Sequence, residues 1–162
     1  MHNLEKPITL EFSPDIAGRC QILGSHLIVR SPIDISRGDF QGTIDHELNS
    51  HFLRSYNDKL QPWHDIAKRV DAQFRRTEEG LAQINGYLSR EIQYSHKANL
   101  MYIAVYRAQF GSFLDVYNFL LGIDVTPDYA WSLTVRAKRG MDDTSLPGGL
   151  TKDITYLEGM IE

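Results

Sequence analysis

Apolar and polar residues alternate along Ile8-Thr9-Leu10-Glu11-Phe12, and a period of two predicts a short strand. Gln21-Ile22-Leu23 and His26-Leu27-Ile28-Val29-Arg30 flank Gly24-Ser25, a pattern that predicts a hairpin. The N-terminal fifth of the chain therefore reads as a small sheet. Beyond it the apolar period lengthens to that of a helix. Ser36 is placed to cap a helix that begins near Arg37 and runs through Phe40, Ile44, Leu48 and Leu53. Asn57 to Trp63 reads as a loop. Thr77 reads as the N-cap of a helix over Glu78 to Tyr94, with Glu78 and Glu79 in its first turn, where negative charge is favoured.

From Asn99 onward the pattern is helical. Met101, Ile103, Tyr106, Phe110, Phe113, Val116, Tyr117, Leu120 and Leu121 keep a helix-like spacing and are predicted as core. Gly122 closes that segment, and Pro127 opens another helix through Trp131, Val135 and Arg139. Asp142 to Gly149 is dense in turn residues and reads as a loop, after which Asp153 to Glu162 is helical again. The expected fold class is α+β, mostly helical, with a small N-terminal β-sheet. The length of 162 residues fits a single domain over residues 1–162.

Composition removes several classes of function. A formal charge of −4 argues against a general nucleic-acid surface, which needs a basic footprint. No apolar run approaches the roughly 20 residues of a membrane span, and Met1-His2-Asn3-Leu4-Glu5-Lys6 has no signal-peptide pattern. The single Cys20 excludes an intrachain disulfide and suits a reducing compartment. A cytoplasmic protein without nucleic-acid or membrane partners is expected.

The chemistry concentrates in Asp45-His46-Glu47-Leu48-Asn49-Ser50-His51. Two imidazoles with a carboxylate between them are parts of a catalytic zinc site, but the usual H-E-x-x-H spacing is one residue shorter. At about 100° per residue, His46 and His51 would point roughly 140° apart on a regular helix, against about 40° for i,i+4. A regular helix cannot bring both to one ion. A one-residue π-bulge restores convergence, and Asn49 and Ser50, weak helix formers, suit such a turn. Glu47 and His51 have the regular i,i+4 spacing, but using that pair would consume the obvious general base.

Other stretches accompany the motif: Phe52-Leu53-Arg54 directly after it, Asn57-Asp58, Gln61-Pro62-Trp63, Thr77-Glu78-Glu79-Gly80-Leu81-Ala82, Ala130-Trp131, and the runs Val135 to Gly140, Asp143 to Gly148 and Thr151 to Gly159. In this order the chain resembles the microtubule-associated tyrosine carboxypeptidase family and its bacterial QEGLA-motif relatives, described as flavohaemoglobin expression modulators. The resemblance implies a zincin-like, gluzincin-like core binding Zn²⁺ through His46, His51 and a downstream glutamate. It selects Glu79, because the bacterial motif has glutamine where Glu78 stands. Glu78 stays in reserve as an outer partner or fallback ligand. Asn49-Ser50 replaces the family's Gly-Thr and removes no ligand. Family members are longer, so the chain is expected to be a fragment or minimal form of a longer catalytic core.

The resemblance implies a carboxypeptidase that removes a C-terminal, tyrosine-like residue from a peptide or protein tail. Glu47 would serve as general base beside the metal. Recognition of the terminal carboxylate calls for a cation, which makes Arg136 and Arg139 candidates, with Lys152 and Tyr156 behind them. A regulatory zinc-binding protein without turnover and a zinc endopeptidase are the alternatives. His26, His64 and His96 receive no role.

Overall fold

The computed structural model describes residues 7–16, 18–64, 72–88 and 96–162, which form two compact units, one within residues 7–88 and the other within 96–161. Met1 to Lys6 and the expected helical extension from 89 to Tyr94 lie outside the described residues. As the hydrophobic pattern predicts, the fold is mostly helical with a small N-terminal sheet.

In the first unit, β1 (Thr9–Ser13), β2 (Cys20–Leu23) and β3 (His26–Arg30) form a sheet of order β1-β3-β2. Strand β3 runs parallel to β1 and antiparallel to β2. Gly24, at φ +61°, closes the tight turn between β2 and β3, where a side chain would be strained. Cys20 stands opposite Val29 and Ile22 opposite Leu27, so all four share one face. That face packs on Phe40, Ile44 and Leu48, an i,i+4,i+8 stripe.

Phe40 and Ile44 belong to α1 (Arg37–His46), and Leu48 to the turn that follows it; the Ser36 cap of α1 accepts a hydrogen bond from the Asp39 N–H at 3.1 Å. Helix α1 continues without a break into a π-helical turn, Glu47–Phe52, and then α2 (Leu53–Lys59). Asn57, Asp58 and Lys59 are therefore helical rather than loop. The chain leaves the helix only beyond Leu60, just before Pro62, which disfavours helical backbone in the residue preceding it.

Helix α3 (Ala72–Leu88) begins well before Thr77. The cap-like threonine is overridden because Ala72 to Arg76 propagate the helix ahead of it. Glu78 and Glu79 thus sit mid-helix, where the helix dipole no longer accounts for their charge. Helices α1 and α3 meet at two buried glycines. A Cβ on Gly86 would lie 2.8 Å from the Gly42 carbonyl oxygen and 3.7 Å from the His46 Cβ.

The second unit contains α4 (His96–Ala108), α5 (Phe113–Gly122), α6 (Pro127–Ala137) and, after a 3₁₀ turn at Thr151–Asp153, α7 (Ile154–Ile161). Its core gathers Met101, Ala104, Val105, Val116, Leu120, Ala130, Leu133 and Ala137. The apolar run expected to be continuous breaks between α4 and α5, where Ser112 and Asp115 form a reciprocal capping box. Tyr106 and Phe110 fall near the break and are exposed, not core. Arg139 lies two residues beyond α6. The side chain of Lys138 is buried, and its Nζ donates to the carbonyls of Ala108, Gly111 and Leu146, which fastens the loop from Asp142 to Gly149 across the helix ends. Among the described residues no helix is long and apolar enough to cross a membrane.

Candidate metal centre

The π turn resolves the spacing of the two histidines. The Leu53 N–H donates to the Leu48 carbonyl, five residues back, so the hydrogen-bonded ring here takes in one more residue than in an α-helix. His46 and His51 are brought onto one side, with their Nε2 atoms 3.2 Å apart and ring planes at 71°. Asn49 points outward and donates to Asp45 Oδ1, while Ser50 points inward and accepts from Asn85 Nδ2 of α3 at 2.7 Å. The two residues suspected of permitting the bulge thus anchor opposite sides of it.

Helix α3 supplies the acid. Glu79, Ala82 and Gly86 fall on one face, at i, i+3 and i+7, and the close approach at Gly42 and Gly86 presses that face onto α1. Glu79 Oε2 lies 3.8 Å from His46 Nε2 and 3.7 Å from His51 Nε2. A point equidistant from three atoms with these separations is about 2.1 Å from each, the length of Zn–N and Zn–O bonds. His46, His51 and Glu79 form a group that could hold a metal ion.

Glu78 faces elsewhere, as an adjacent helical residue must. Its Oε1 lies 2.8 Å from His51 Nδ1 and accepts a 2.6 Å hydrogen bond from Arg54 Nε. A ligating histidine commonly donates its other N–H to a carboxylate in this way, which leaves the Nε2 lone pair directed at the metal. Burial would raise the Glu78 carboxyl, but His51 and Arg54 hold it below the usual glutamate value. Burial likewise opposes a charged His51. With no cation present the carboxylates of Glu78 and Glu79, with the charge of Glu47, outweigh it and lift the imidazole to about 10.

Glu47 is the base expected beside the metal ligands. Burial pushes its carboxyl up to about 7 and Glu79 adds repulsion, while the charge of His51 and a hydrogen bond from the Ile22 backbone N–H pull it down. Strand β2 is an edge of the sheet, so the outward N–H of Ile22 is open to that carboxylate. Burial, with Glu47 nearby, drives the Cys20 thiol up to about 11, which leaves it a neutral, inert core residue at neutral pH.

A sequence-family profile described as Microtubule-associated tyrosine carboxypeptidase matches residues 1–162. The chain belongs to that family. Microtubule-associated tyrosine carboxypeptidase 1 of Homo sapiens is 39% identical over 124 residues, which cover 75% of this chain and 26% of the relative. The Rattus norvegicus protein of the same name is 38% identical over 124 residues, with the same coverage of 75% and 26%. A second human relative, MATCAP2, is 31% identical over 163 residues, 97% of this chain and 31% of its own length. The chain thus spans about a quarter to a third of the length of these curated relatives.

The four residues that resemblance to this tyrosine carboxypeptidase family nominates for substrate binding all lie in the second unit. Arg136 donates through Nε and Nη2 to the two oxygens of Asp153, at 2.6 and 2.8 Å. The Asp153 bonds, and a smaller contribution from Tyr156, raise the Arg136 pKa further. Asp153 is fully buried, so this fork holds the 3₁₀ turn to α6. Lys152 is exposed. Arg139 borders a groove of about 690 Å³ whose walls include Phe113, Leu114, Trp131, Val135 and Met141. Sequence reasoning gave Arg54 no role, and its spacing of three residues from His51 was the available signal. It also missed Asp58, which pairs with His64 Nδ1 at 2.7 Å.

Proposed function

We propose that this protein is a zinc-dependent carboxypeptidase that removes a C-terminal residue, tyrosine or a similar aromatic one, from a peptide or protein tail in the cytoplasm. The observation that carries the reading is the donor triangle of His46, His51 and Glu79 with Glu47 beside it, in a chain of this family. Two nitrogens and one carboxylate oxygen are the donor set of a zinc site that keeps an open position. Relatives named tyrosine carboxypeptidases support release of a C-terminal aromatic residue, and their association with microtubules supports a protein tail in the cytoplasm as the substrate.

A zinc ion held by these three residues would polarise the scissile carbonyl and lower the pKa of the attacking water. The proton movements belong to the protein. Glu47 takes a proton from the water onto a carboxylate oxygen and returns it to the departing amine as the C–N bond breaks. Burial raises this carboxyl above the ordinary glutamate value, which favours holding the proton between the two halves of that exchange. His51 keeps its ring orientation through Nδ1 and Glu78. For the terminal carboxylate, Arg139 is the first candidate, because it is exposed at the border of an apolar groove whereas Arg136 is engaged by Asp153. Lys152 and Tyr156 follow.

Metal analysis and mass spectrometry of a peptide panel test this reading together. Stoichiometric zinc with loss of a single C-terminal aromatic residue is the expected result. Internal cuts would identify an endopeptidase, and bound zinc without cleavage a regulatory metal-binding protein.

A further inference from the structure

Arg54 lies one turn beyond His51 and touches two residues of α3. Its Nε donates to Glu78 Oε1 at 2.6 Å, and its guanidinium carbon stands 5.2 Å from the centroid of the Phe74 ring. Phe74 and Glu78 are one turn apart on α3, so they present a ring and a carboxylate to the same arginine. The same Glu78 oxygen receives His51 Nδ1 at 2.8 Å. His51, Glu78, Arg54 and Phe74 therefore form a closed clasp between the helix that carries both histidines and the helix that carries Glu79.

We infer that Arg54 is a positioning residue for the metal: by holding Glu78, it fixes the ring of His51 so that Nε2 faces His46 and Glu79. This rests on the reading of those three residues as metal ligands. The argument is geometric. A carboxylate on a glutamate stem has three rotatable bonds, and a single hydrogen bond to an imidazole leaves it free to swing. The Arg54 Nε, itself restrained by the Phe74 ring, removes that freedom and determines which oxygen meets His51. Loss of an outer partner of a metal-binding histidine typically weakens metal affinity about 10- to 100-fold. Arg54 acts one step further out, through Glu78.

The test measures zinc affinity by competition with a chelating indicator, in the full chain, for the parent, Arg54→Met, Arg54→Lys, Glu78→Ala and the Arg54→Met/Glu78→Ala double variant. Arg54→Met should bind zinc about 10-fold more weakly while the metal-free protein keeps its Tm, and Arg54→Lys should recover part of the loss. The double variant should match Glu78→Ala alone, because an arginine that acts only through Glu78 has nothing left to hold. In zinc-loaded parent protein the His51 Nδ1 proton should resonate downfield and exchange slowly with water, and this signature should weaken in Arg54→Met. Parent-like affinity and an unchanged Nδ1 signal in Arg54→Met overturn the inference, as does a double variant in which the two losses add. Failure of the parent to bind zinc would instead overturn the metal reading itself.

Discussion

His46 Nε2 and His51 Nε2 lie 3.2 Å apart although five positions separate them in a helix. The π turn makes this possible by absorbing one residue. What the turn accomplishes is convergence of the two imidazoles without using Glu47, which is left available as the proposed base.

Replacement of Glu47 by glutamine should abolish turnover and leave zinc bound. The neutral amide keeps the size of the side chain but cannot accept the water's proton at neutral pH. A loss of about 10²- to 10⁴-fold in kcat is expected, with zinc stoichiometry unchanged. In the parent, kcat/KM should rise with pH and level off at or below about 7, the value to which burial lifts this carboxyl before a cation lowers it. A Glu47→Gln variant with near-parent kcat would transfer the base to another residue.

Gly86→Ala should loosen the metal centre from a distance. Its Cβ would meet the Gly42 carbonyl at 2.8 Å, so α1 and α3 must separate. The expected cost is about 1–3 kcal/mol of stability, with weaker zinc binding as Glu79 withdraws from the histidines. Gly38→Ala is the control, because nothing lies within 4 Å of its Cβ and alanine favours the helix. Thermal unfolding and zinc titration of both variants check the contrast.

The metal-free protein should lose stability as pH rises. Folding raises Glu47 from 4.5 to about 7 and His51 from 6.5 to about 10, so in each case the native state binds its proton more tightly. Such a contribution is complete below the unfolded value and disappears as pH passes the folded one. The window therefore runs from about pH 5 to about 10, and Tm after chelation should fall across it. Zinc must displace the His51 proton, so its apparent affinity should climb over the same range. A chelated protein whose Tm is flat or rising from pH 5 to 9 contradicts both statements.

Arg136 and Arg139 should separate by assay. Arg136→Ala leaves the buried Asp153 carboxylate without its fork and should cost about 3 kcal/mol, read as a lowered Tm. Arg139→Ala, at an exposed position, should leave Tm within error. If Arg139 binds the terminal carboxylate, the parent's preference for a free acid over a C-terminal amide should narrow in that variant alone. An undiminished preference in Arg139→Ala would move the clamp elsewhere, with Lys152 and Tyr156 next.

The sequence by itself determined the local features of this protein. Alternation gave β1 and the hairpin around Gly24, Ser36 gave the start of α1, and the spacing of His46 and His51 called for a π turn if both were to reach one ion, because five residues of regular helix turn them roughly 140° apart. Each of these depends on contacts within a few residues. The tertiary structure decided the rest. Thr77 looked like a cap, yet α3 runs through it, because helix propagation from Ala72 outweighs one side chain's local hydrogen bond. Glu78 and Glu79 are neighbours that point about 100° apart, and no local rule says which one meets the histidines. That choice follows from the rotation of α3 against α1, set where Gly86 meets Gly42 and fastened by Asn85 on Ser50. The engagement of Arg136 by Asp153, seventeen residues away, is likewise invisible to pattern, because it arises only when the 3₁₀ turn folds back on α6 and buries a charge that must be paired.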